Sequence, residues 1–121
     1  MPKTKVILYR ETNGTAPLLD WLGKLPEPAR LKCVAVIDLL ADSGNQLRRP
    51  VSDYLRDGIY ELRTRSGRVN YRILYGFAGK NIVLLSHGFT KEKTIPKREI
   101  ERAIKNLKNF KQDPNAHTYS E

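Results

Sequence analysis

The 121-residue chain has one cysteine, one tryptophan and two histidines, and it is short of acidic side chains. Each scarcity excludes something. The lone Cys33 forms no intrachain disulfide and supplies no cysteine cluster to a metal site, and it fits a reducing compartment. No apolar run approaches the roughly 20 residues that cross a bilayer. The opening "MPKTKVILYRE" meets Glu11 too soon for the apolar region of a secretory leader. These absences predict a soluble cytoplasmic protein. What the chain has in excess is positive charge: 22 Lys and Arg against 13 Asp and Glu, a net charge of +9 and an isoelectric point near 9.9. A small domain so basic attracts polyanions, whether RNA, DNA or an acidic protein. The plain alternative is a basic surface with no particular partner.

The length fits one domain that buries roughly two-thirds of its unfolded surface without a staple. Residues 1–113 read as that domain and 114–121, "PNAHTYSE", as a flexible tail without periodicity. "KVILY" (5–9) is a short β-branched strand. "ETNGTAP" is a turn offering Asn13 or Thr15 as a helix cap, with Pro17 early in the helix. "LLDWL" gives one or two helical turns that stop at Gly23. A second helix opens at Pro28, keeps Ala29, Cys33, Val36, Ile37 and Leu40 on one face, and ends at Gly44. Cys33 lies on that stripe and reads as a small core residue. Residues 44–58 read as a polar loop. "IYELRTR", "VNYRILYGF" and "NIVLLSHGF" follow as strands, joined by turns short enough for hairpins at 66–67 and 78–80. The last helix starts near Pro96, with Ile100, Ala103, Ile104, Leu107 and Phe110 as its apolar stripe.

The predicted class is therefore α+β, in the order β-α-α-β-β-β-α. Two N-terminal helices and one C-terminal helix pack on one face of an antiparallel sheet of about four strands. Alternation sorts the strand residues. Glu61, Arg63 and Arg65 share one face, and Tyr60, Leu62 and Thr64 the other. Tyr71, Ile73, Tyr75 and Phe77 face the core, and Asn70, Arg72 and Leu74 face away from it. A tight hairpin at 66–67 sets Arg63 beside Arg72, and the next turn sets Arg72 near Ser86 or His87. Like charges directly opposite each other are destabilising. Such a set makes sense where an anion fills it, and the planar arginine fork suits phosphate. Lys91 and Lys93 leave the adjacent strand end. Lys97 and Arg98 fall in the first helical turn, where the macrodipole favours anions. The bland reading is a solvated strand face with an ordinary structural histidine.

"GIYELRTRSGRVNYRILYGF" and "IVLLSHGFTKEKTIPKREIERAIKNLKNF" resemble the RelE/ParE superfamily of type II toxin–antitoxin toxins, in particular its phage-derived HigB-like branch. The likeness spans about residues 58–110. It implies a small RelE-like fold, neutralisation by a cognate antitoxin, and cleavage of mRNA on the ribosome with no metal and no cofactor. It further implies a monomer that forms a hetero-oligomer with its antitoxin. Carried over by position, Arg63 and Arg72 clamp the phosphate, Lys91 adds a cation, Glu61 serves as general base and His87 as acid. Arg65, Arg68, Lys93, Lys97 and Arg98 extend the RNA-binding surface. The turn "TKEKTIP" has Glu92 where a further lysine is expected, and His117 and Tyr119 are the chain's only C-terminal aromatic candidates for a key group. Two other functions compete: a ParE-like gyrase poison that does no chemistry of its own, and a non-enzymatic RNA-binding phage accessory protein whose tyrosines would have to be exposed.

Overall fold

Five strands and three helices make up the computed structural model, which describes residues 4–91 and 93–120, with Lys91 defined by its backbone alone. In chain order these are β1 (Lys5–Leu8), α1 (Pro17–Gly23), α2 (Glu27–Ser43), a short 3-10 turn (Gly44–Gln46), β2 (Ser52–Arg56), β3 (Ile59–Ser66), β4 (Val69–Phe77), β5 (Ile82–Lys91) and α3 (Lys97–Gln112). The sheet order is β1-β5-β4-β3-β2. β2 to β5 are antiparallel neighbours, whereas β1 runs parallel to β5, pairing Val6 with Val83 and Leu8 with Leu85. The fold is α+β, but the expected four-stranded antiparallel sheet is a mixed five-stranded one. β1 is apolar towards both faces: Val6 and Leu8 pack on one core, Ile7 and Tyr9 on the other. That pattern fits a strand covered on both sides, where parallel pairing is at home.

The extra strand lies in the segment expected to be a loop. β2 carries Ser52, Asp53, Tyr54, Leu55 and Arg56 and turns back through Asp57 and Gly58, both at positive φ (52° and 83°). An Asp-Gly pair in that conformation is the favoured two-residue hairpin turn. The strand is short, polar and at the sheet edge, where charge discourages pairing with another chain.

The helices divide between the two faces rather than sharing one. α1 and α2 turn Leu18, Leu22, Ala29, Cys33, Val36 and Leu40 onto Leu62, Tyr71, Ile73, Tyr75, Val83 and Leu85. α3 turns Ala103, Leu107 and Phe110 onto Ile7, Ile59, Leu74 and Leu84. Each large apolar side chain buried in this way contributes roughly 1.5–3 kcal/mol before entropy is counted. Two glycines permit the close approach. A Cβ on Gly88 of β5 would run into the Trp21 ring of α1, and one on Gly76 of β4 would sit 2.7 Å from Leu107 Cδ2 of α3. Cys33 is fully buried in the α2 core, and burial pushes its thiol up to about 11, which suits an inert packing residue.

The caps and the tail also differ from the sequence reading. Asn13 Oδ1 accepts from Thr15 N and Thr15 Oγ1, a local turn that leads to Ala16 as the residue before α1. The segment expected to be a flexible tail folds back along β1. Thr118 bridges Tyr9, Tyr119 N donates to the Leu8 carbonyl, and His117 stacks on Tyr9 with ring centroids 5.1 Å apart. Among the described residues no helix is long and apolar enough to cross a membrane, and no group of His, Cys, Asp and Glu is placed to hold a metal ion.

Candidate functional site

The β3–β4 register pairs Arg63 directly with Arg72, as alternation and the short hairpin require. One row further along the same face, Glu61 of β3 stands opposite Leu74 of β4, and Leu74 stands opposite His87 of β5. Glu61 is 2% exposed, and its carboxylate explains how two arginines tolerate each other. Arg63 Nε donates to Glu61 Oε1 at 3.0 Å. Arg72 Nε lies 2.7 Å from the same oxygen, an ionic contact in which the N–H is not aimed along the line between them. The Arg72 side chain is 12% exposed and that of Arg63 29%, so the pair sits at a rim rather than in the interior.

A second carboxylate, which the sequence reading missed, completes the arrangement. Asp53 of β2 accepts from Arg63 Nη2 at 2.8 Å and from Arg49 through two bonds of 3.0 and 3.1 Å. The Arg49 hydrogen bonds hold the Asp53 carboxyl below the usual carboxylate range. The charges therefore run across three strands as Arg49, Asp53, Arg63, Glu61, Arg72. The Asp57–Gly58 turn and the alternation of "SDYLR" are the sequence signals that would have placed Asp53 there. A groove of about 320 Å³ opens at the arginines, lined by Pro50, Val51, Arg63, Thr64, Arg65, Asn70 and Arg72. Preplaced guanidinium groups at the mouth of a groove stabilise negative charge that develops on a bound phosphate.

His87 shares the sheet face but belongs to a different network. β5 carries one extra residue against β4, Ser86, so that Leu74 meets His87 and Tyr75 meets Leu85. Arg72 stands opposite Phe89 rather than Ser86 or His87; continued from the Phe77–Val83 pair without the extra residue, the ladder would set it opposite Gly88. The His87 ring is 2% exposed. Its Nδ1 lies 2.7 Å from Ser86 Oγ and its Nε2 lies 3.1 Å from Glu99 Oε1. Asn106 Nδ2 of α3 donates to the same Ser86 hydroxyl at 2.9 Å. Burial first, and then the Arg102 charge, depress the imidazole to about 4, against the opposing pull of Glu99. His87 is thus neutral at pH 7 and ties β5 to the first turns of α3.

The outer cations are scattered. Arg65 is exposed at the end of β3, where its Nε donates to the Gly67 carbonyl at 3.1 Å, and Arg68 is exposed in the turn. Lys93, Lys97 and Arg98 are exposed where the chain enters α3. Among the described residues, Arg63 and Arg72 bond to Asp53, Glu61 and the Tyr71 carbonyl, and none of these three cations takes part. The Lys91 side chain and Glu92 lie outside the described residues.

No curated protein matches the chain. Residues 20–108 match the family described as "Phage derived protein Gp49-like (DUF891)", a stretch that runs from α1 through most of α3 and includes the whole charge row. The chain therefore belongs to the phage-derived Gp49-like family, a family of RelE-like toxins.

Proposed function

We propose that the protein is the toxin of a type II toxin–antitoxin module and inhibits translation as a ribosome-dependent mRNA endonuclease. The observation that carries this reading is the Arg63–Arg72 cross-strand pair, locked by Glu61 at the mouth of a groove. The family and the net charge of +9 support it. In the proposed reaction a ribose 2′-oxygen attacks the adjacent phosphorus and the bond to the 5′-oxygen breaks. A 2′,3′-cyclic phosphate and a 5′-hydroxyl result. The 2′-hydroxyl gives up its proton and the departing 5′-oxygen gains one, while charge builds on the phosphoryl oxygens. Arg63 and Arg72 meet that charge. Glu61, closed in by both arginines, acts as their positioning residue. His87, buried and neutral, holds α3 in place. The expected partners are mRNA on the ribosome and a cognate antitoxin whose acidic segment covers the arginines. Charge-steered association with such an antitoxin slows as salt is raised.

Induced expression in bacteria tests the reading. The wild-type chain arrests growth. Arg72→Ala, purified and shown to be folded, loses the arrest, in keeping with the roughly 100- to 1,000-fold rate loss typical of removing one such stabilising group. Arrest that survives Arg72→Ala in a folded protein contradicts the assignment and points to a target bound without phosphate chemistry, such as gyrase.

A further inference from the structure

The face of the sheet opposite the arginines carries a second feature that the proposed chemistry does not use. Three of the six tyrosines gather there at its β2–β3–β4 end, together with Phe77. Tyr54 and Tyr60 meet edge to face at 4.9 Å, and Tyr60 and Phe77 do so at 5.5 Å. Tyr75, hydrogen-bonded to Ser52, stacks beneath Tyr60 at 5.3 Å and is buried. Tyr60 and Phe77 are only half-buried, and Tyr54 is 53% exposed. The end of α2 and the turn after it, Asp42 to Gln46, wall one side of this end without closing it. Two clefts of about 440 and 500 Å³ remain there, and both are lined by Tyr60 and Asn45.

The geometry points to a binding site for unpaired bases of single-stranded RNA on the row Tyr54, Tyr60 and Phe77. An aromatic row serves nucleic acid when its rings are reachable and cations flank it. Arg48 and Arg49 line one cleft and Lys80 the other. The side-chain amides of Asn45, Gln46 and Asn81 are donors and acceptors suited to base edges. The same chain segment connects this row to the arginine groove. Pro50 and Val51 line the groove, while Arg49, Ser52 and Asp53 line the cleft of about 440 Å³. Asp53 also holds Arg63. A strand with its phosphate at Arg63 and Arg72 therefore needs only to pass the sheet edge at 49–53 to lay bases on Tyr54 and Tyr60. The row then helps determine which sequence context the protein favours. The proposal rests on the nuclease reading only for the identity of the polymer.

The test is fluorescence anisotropy with a labelled single-stranded 2′-O-methyl oligoribonucleotide, which cannot be cut, beside an abasic oligomer of the same length and charge. Wild-type protein binds the base-bearing oligomer about ten-fold or more tightly than the abasic one, the size of effect expected from stacking one or two bases. Tyr54→Leu and Tyr60→Leu lose that preference and keep the abasic affinity. Tyr54→Phe keeps the ring, gives up the hydrogen bond from Gly58 N, and keeps the preference, which separates stacking from a mere effect on folding. Equal binding of the two oligomers by the wild type, no binding at all, or Leu variants that retain the preference each overturn the proposal. So does a Tyr54→Leu protein that binds RNA normally but no longer binds its antitoxin, which assigns the row to a protein contact. Cleavage is measured separately. A protein that cuts mRNA but ignores bases at this row refutes the inference alone, and one that stacks bases but never cuts refutes the nuclease reading alone.

Discussion

Glu61 lies between two arginines that their own repulsion would drive apart, with both guanidinium groups on one carboxylate oxygen. Such a site depends on all three members. Removing the central charge leaves two facing cations without a counterion. Glu61→Gln is expected to destabilise the fold by about 3 kcal/mol, the low end for a broken buried pair because Arg63 keeps part of its guanidinium in water. Urea unfolding at neutral pH measures this directly, and a loss under ~1 kcal/mol would mean that the carboxylate is not what reconciles the arginines. His87 makes a second prediction at this scale. The unfolded imidazole titrates near 6.5 and the folded one near 4. Between those values the unfolded chain carries a proton that the folded one lacks. The stabilisation is therefore complete above about pH 6.5 and is lost as pH falls toward 4, by up to about 3 kcal/mol. His87→Gln removes that component, so the unfolding midpoints of wild type and variant converge as the pH is lowered through this window. Parallel curves from neutral to about pH 4 would show that His87 does not titrate this way.

At the scale of elements, packing depends on positions where a side chain is missing. Gly88 lets Trp21 of α1 lie directly on β5. Gly88→Ala pushes a methyl into that ring and is expected to cost about 1–3 kcal/mol, as overpacked cores do. Because Trp21 is the only tryptophan, its emission reports the displacement during the same urea titration. Unchanged stability and emission would place α1 elsewhere. β3, β4, α2 and α3 were legible in the sequence because each carries a clean period, and β1 and β5 because each is a short apolar run. The Arg63–Arg72 pairing followed from one tight turn and strict alternation, which leave no other register on a half-buried face. What was missed was hidden for identifiable reasons. β2 is an edge strand of polar residues after a proline, so hydrophobic periodicity passes over it, and Asp53 was lost with it. β1 is apolar on both faces, which gives no hint of pairing direction. The Phe77–Val83 pairing and the extra residue at Ser86 together set Arg72 against Phe89, and no composition signal marks that residue. The tail has no period because a single bridge and a Tyr9–His117 stack hold it, rather than a repeating face.

Across the whole molecule, the two helical layers leave one end of the sheet uncovered on each face. On the α3 side that end carries the charge row and its groove, and on the α2 side the aromatic row. A net charge of +9 sets up a field that favours anions over cations around the whole domain. In the proposed reaction the arginine pair stabilises phosphoryl charge during mRNA cleavage. A reconstituted translation reaction with defined mRNA and pure protein tests it most directly, with new 5′ ends mapped with and without ribosomes and with Arg72→Ala alongside. The expected cuts require both ribosomes and Arg72 and leave 5′-hydroxyl ends. Intact mRNA with normal peptide yield, or cutting undiminished in folded Arg72→Ala, would contradict it.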